Sequence, residues 1–131
     1  MNYVPAVYVI LLAVAMLATS VARHISLRRV VTRLKQVNMS KWVEMGSPEP
    51  TFFSQFRDYT TWQPTNLRVP TTVHTELSMW LGERDYERLR DAKITASANQ
   101  YKQLGNLQFA IGAIAVCTFL YFRFVAHRVA P

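Results

Sequence analysis

What this chain has little of narrows its chemistry first. It carries one cysteine, Cys117, so no internal disulfide can form and the redox compartment stays open. None of its three histidines, His24, His74 and His127, has a metal-ligand residue three or four positions onward, which excludes a helix-borne metal pair. The HExxH, P-loop, GxGxxG and GxSxG patterns are all missing. There are only eight acids against fifteen Lys and Arg. Four of them, Glu83, Asp85, Glu87 and Asp91, lie close together among Arg84, Arg88, Arg90 and Lys93. That alternation reads as a solvated, salt-bridged surface rather than a general acid and base pair. The expectation is a chain that is not an enzyme, with no catalytic residue, no metal and no cofactor. No small-molecule substrate is inferred.

Charge is absent altogether from two stretches. Leu104–Phe122 contains no charged residue and is followed at once by Arg123. At about 1.5 Å per helical residue it is roughly 28 Å long, close to the hydrocarbon thickness of a bilayer. Val4–Ala22 is equally uncharged and ends at Arg23 and His24. Pro5 falls in the first turn, where a missing N–H costs little. Met1, Asn2 and Tyr3 lack the basic start of a signal peptide, so this span is expected to be retained despite the small residues near Ala22. Asn106 and Gln108 are the strongly polar groups of the spans and are expected to hydrogen-bond between helices near the interface. Cys117 is expected to be an inert apolar residue.

Between the spans lie thirteen of the fifteen basic residues and all eight acids. Arg23, Arg28, Arg29, Arg33, Lys35 and Lys41 follow the first span with no acid among them. Such an excess marks the cytoplasmic side, so the middle is predicted inside and both termini outside. Arg23, Arg28, Arg29, Arg33 and Lys35 form a possible lipid or partner contact, the plainer alternative being a topology signal on a solvated helix. Anionic lipid explains the net charge of +7 better than nucleic acid, because the basic residues sit beside the spans. Leu27, Val30, Val31, Leu34 and Val37 recur at helical spacing, so the first span is predicted to continue as an amphipathic helix.

A short helix follows at Ser40–Met45, capped by Asn38 or Ser40 and ended by Gly46. The stretch to Pro70 reads as irregular chain, yet Phe52, Phe53, Phe56, Tyr59 and Trp62 make it too aromatic for a free linker. Thr71–Leu81 is predicted helical, with Val73, Leu77, Trp80 and Leu81 on one face. A last helix is predicted to start near Glu83, with Tyr86, Leu89 and Ala92 on its buried side, and to run into the second span. Small residues offer the spans a way to pack, Ala13 and Ala15 on one and Gly105, Gly112 and Ala115 on the other, the alternative being that they form an interface with a different protein.

The order of elements resembles universal stress protein B and its bacterial relatives. The residues that carry the likeness are Leu27-Arg28-Arg29 after the first span, Ser40-Lys41-Trp42 through Gly46-Ser47-Pro48, and Asp85-Tyr86-Glu87-Arg88-Leu89-Arg90-Asp91 before the last helix. This chain is longer in the middle, at the aromatic and proline-rich loop 51–70. The resemblance implies a multi-pass protein of the bacterial inner (plasma) membrane connected with stress or stationary phase, with no catalytic residues to carry over.

The expected fold is an all-α membrane protein, a two-span helical hairpin whose helices extend into a small cytoplasmic helical domain. Its parts are an N-terminal tail (1–3), a first span (4–22), a basic, aromatic-rich helical section (23–103), a second span (104–122) and a C-terminal tail (123–131). The expected function is that of a non-enzymatic integral membrane protein acting through protein contacts. The alternative is an accessory subunit stabilising a larger respiratory or transport complex. Expected partners are the lipid bilayer and a protein partner or second copy, with no nucleic acid. A self-assembling pore is disfavoured, since Asn106 and Gln108 make too short a polar stripe.

Overall fold

Two helices dominate the computed structural model, which describes residues 4–52 and 73–129. The first, α1, runs Val4–Val37 over 34 residues, with no glycine and only Pro5 at its start to interrupt it. A six-residue helix, α2 (Met39–Glu44), follows after Asn38, whose side-chain carbonyl accepts the Lys41 amide at 3.0 Å. Of the two caps the sequence offers, Asn38 and Ser40, it is Asn38 that serves. Gly46 at φ 83° and Ser47 at φ 57° turn the chain out of α2. Trp42 Nε1 then donates to the Pro48 carbonyl at 3.2 Å and folds the turn back on the helix. Further on come α3 (Val73–Gly82), a 3₁₀ turn (Asp85–Leu89) and the longest element, α4 (Ala92–Val129, 38 residues). Among the described residues there is no strand.

The last helix begins later than the periodicity predicts, at Ala92 instead of near Glu83. Arg84 and Arg90 both take left-handed backbone, at φ 62° and 50°, and bracket the 3₁₀ turn. Asp91 then starts α4 afresh by accepting the Ile94 amide on Oδ1 at 2.9 Å. An aspartate just before a helix satisfies a backbone donor that no helical carbonyl can reach. The break swings Tyr86 inward, where it is fully buried, meets the Trp80 ring edge-on and donates its hydroxyl to Asn99 Oδ1 at 2.8 Å. Leu89 packs against the core as expected, whereas Ala92 is exposed. The charges of this turn face water as read from sequence, with Arg84–Glu87 and Arg88–Asp85 pairs at 2.8 and 3.3 Å.

The two long helices are antiparallel. Ser20 meets Gln108, Arg23 meets Tyr101 and Arg33 meets Asp91, so residues climb along one helix as they descend along the other. Their contact is a seam with alternating spacings of three and four, which repeats every seven residues as in coiled coils. On α1 it is Ser20, Arg23, Leu27, Val30 and Leu34; on α4 it is Ile94, Ala98, Tyr101, Gly105 and Gln108, and all are buried. Met45, Leu77, Trp80, Leu81 and Tyr86 complete a core around the charged half of this seam. Each fully buried side chain such as Leu34 or Ile94 contributes roughly 2 kcal/mol. Val37, predicted on the same apolar stripe, is exposed because α1 ends there and the chain turns through Asn38.

The uncharged halves differ from the body in what they expose. Val9, Ile10, Leu11 and Leu17 on α1, and Phe109, Val116, Phe119 and Tyr121 on α4, are each more than half exposed. Pro5–Val37 and Ala92–Val125 are both long and apolar enough to cross a membrane. The aromatic positions Phe53, Phe56, Tyr59 and Trp62 lie outside the described residues.

Candidate functional site

Where the uncharged halves meet the body, the seam turns polar. Gln108 donates through Nε2 to Ser20 Oγ at 2.6 Å, and its Oε1 accepts Arg23 Nη1 at 3.3 Å. Ser20 in turn donates to the Met16 carbonyl at 2.8 Å. The Arg23 guanidinium lies over the Tyr101 ring, 4.2 Å from its centroid. Arg23, Ser20 and Gln108 are all buried. The hydrogen bonds therefore run in one direction, from Arg23 through Gln108 and Ser20 to the backbone of α1. Such a chain polarises its members and fixes the register of the two helices. Gly105, one turn from both Tyr101 and Gln108, is itself buried. Asn106, read together with Gln108 in the sequence, points outward and is exposed.

Next to the polar cluster, on the body side, a cleft of about 630 Å³ opens along one flank of the seam. Arg28, Arg29 and Arg33 line it from α1 and Lys93 from α4, with the hydroxyls of Thr32 and Ser97 between them. Arg33 is held by Asp91 Oδ2, through Nε at 3.1 Å and Nη2 at 3.0 Å, and also donates to Gln36 Oε1 at 3.3 Å. The Ile94 amide and then the Arg33 guanidinium hold the Asp91 carboxyl below the usual aspartate range. Among the described residues Arg28, Arg29 and Lys93 make no ion pair.

The other basic residues singled out from the sequence are placed apart from this cleft. Lys35 pairs with Glu49 and lies 4.5 Å above the Trp42 ring, which ties α1 to the turn after α2. Arg23 belongs to the buried cluster. His24 meets Phe52 edge-on at 5.9 Å, and its shielded Nδ1 has no hydrogen-bond partner among the described residues.

Away from the body, past Gln108, the seam opens. Ala13, Met16, Gly112 and Ala115 continue its spacing but line an apolar groove of about 500 Å³ instead of a contact. Ala15 is half-buried. Tyr8 Oη and Thr118 Oγ1 share a hydrogen bond of 3.3 Å across the groove. Gly112 was expected to let the spans approach closely, yet a Cβ there would meet nothing within 4 Å. The physical reason is that the body sets the helix separation with Leu27, Leu34 and Tyr101, and small residues cannot fill that distance. Cys117 is exposed on the outer surface of α4.

Among the described residues the fold is all-helical, with two membrane-length apolar helices joined to a basic, packed body. Comparison with protein-family models, curated proteins and solved structures gives no match.

Proposed function

We propose that this chain is a non-enzymatic integral membrane protein that acts through protein contacts. Both uncharged halves cross the inner (plasma) membrane of a bacterium, the basic body lies on the cytoplasmic side, and both termini lie outside. The observation that carries this reading is the inversion of exposure along α1 and α4: most large apolar side chains are bare where charge is absent, whereas Leu27, Val30, Val31, Leu34 and Ile94 are buried where charge is present. A bilayer accommodates that inversion, since lipid solvates the bare halves and water the body. The basic residues after Arg23 support the orientation. The likeness to universal stress protein B supports a role connected with stress or stationary phase.

A second reading is an accessory subunit of a larger membrane complex. The open groove between Ala13 and Gly112 favours it, because an apolar cleft of about 500 Å³ within the bilayer can receive a partner helix. Extraction of the tagged chain in mild detergent, native sizing and mass spectrometry of what elutes separates the two. A lone chain or homo-oligomer is the expected result for the first reading. A constant stoichiometric partner with a known activity would replace it with the second.

A further inference from the structure

We propose that the cleft between α1 and α4 binds the phosphate of an anionic glycerophospholipid, with Arg28, Arg29 and Lys93 as its charged contacts. The inference rests on the membrane reading and names a ligand for the face that reading leaves bare. Three cations converge on one cleft and make no ion pair among the described residues, while the nearby carboxylate, Asp91, is already held by Arg33. Like charges gathered this way repel one another unless an anion joins them. Thr32 and Ser97 add hydroxyl donors suited to phosphate oxygens, and arginine matches those oxygens in pairs.

Depth fits the same ligand. Arg28 and Arg29 come a little under two turns after Ala22, and Ser97 two turns before Leu104. Both counts set the cleft about 10 Å beyond the uncharged segments, within side-chain reach of the headgroup layer. Its lower edge is apolar: Ile25 lines the cleft and is 44% exposed, and Val21 and Leu17 continue that exposed face toward the membrane. A headgroup in the cleft would thus have its acyl chains directed along α1. A single helix could have carried a diffuse basic stripe. Lys93 and Ser97, brought from the far end of the chain, make the stripe a cleft with two walls.

The test uses the full chain in detergent and native mass spectrometry after incubation with equimolar phosphatidylglycerol and phosphatidylcholine. The wild-type chain is expected to retain one phosphatidylglycerol in clear preference. R28Q/R29Q should lose about thirtyfold of that preference, each surface cation contributing about fivefold. R88Q, which removes an exposed cation of the 3₁₀ turn that does not line the cleft, should keep it. Equal retention of the two lipids by the wild type, or undiminished preference in R28Q/R29Q, overturns the site. Displacement of the lipid by millimolar inorganic phosphate or glycerol phosphate would assign the cleft to a soluble phosphate and overturn the lipid. Membrane partitioning is measured on the same preparation. A chain that stays in the aqueous fraction overturns the membrane reading, whereas a membrane-bound chain without lipid preference overturns the cleft alone.

Discussion

Gln108 and Ser20 face each other across the two long helices, and the amide of one donates to the hydroxyl of the other over 2.6 Å. The bond lies where the packed body ends and the bare apolar halves begin. Because the same amide accepts from Arg23, one side chain of α4 holds two residues of α1, a turn apart, in a single register. A slip of either helix would break both bonds together.

Replacing Gln108 with Leu is expected to remove both bonds and to weaken the pairing of α1 and α4 by about 0.5–2 kcal/mol. S20A should cost less, since Arg23 keeps its acceptor. The double variant should be less destabilised than the sum of the two, because the two residues share a bond. Detergent-titrated unfolding followed by circular dichroism measures all three, and additive losses would argue against the shared bond.

Asp91 serves α4 and Arg33 at once. D91N keeps a capping oxygen and loses the charge, while D91A loses both, so stability should fall from wild type to D91N to D91A. The folded carboxyl titrates below its unfolded value. Its contribution is therefore fully present above the unfolded value, about pH 4, and is lost as pH falls through the lower, folded one. In D91A that part of the acid sensitivity should vanish, which unfolding midpoints taken between about pH 6 and pH 3 would reveal.

Tyr86 is fully buried and its hydroxyl has a defined acceptor in Asn99. Y86F should cost about 1 kcal/mol, the net worth of one hydrogen bond. Y86A leaves a cavity beside Trp80 and should cost about 3–5 kcal/mol. Similar losses for the two would place Tyr86 outside the core.

Gly112 lines a groove with nothing close to its Cα substituent position. G112A should be neutral or stabilising by up to about 1 kcal/mol, since alanine favours helix. A large loss in the isolated chain would mean that α1 and α4 close the groove there.

Much of this arrangement was legible one element at a time. Absence of charge marked both bare segments, helical spacing of Leu27, Val30, Val31 and Leu34 marked the buried stripe, and Asn38 and Ser40 bracketed the start of α2, leaving the choice of cap open. What the sequence left dark lies between elements. Nothing local links Arg33 to Asp91, Arg23 to Tyr101, or Arg29 to Lys93, because these pairs depend on the register of two helices joined by a long connection. Asp91 itself carried an overlooked signal: an aspartate ahead of Ala92, Lys93 and Ile94 is a helix start, masked by the helix-favouring charges before it. Small residues such as Gly112 allow close packing but do not impose it.

The account turns on both apolar halves crossing the membrane with the basic body inside. Fusing a reporter that is active only outside the cytoplasmic membrane, once after Gly82 and once after Pro131, tests this directly. With the basic body inside and both termini outside, the fusion at Gly82 is silent and the fusion at Pro131 is active. Activity at Gly82 with silence at Pro131 would reverse the orientation, and equal activity at both would contradict a hairpin of two spans.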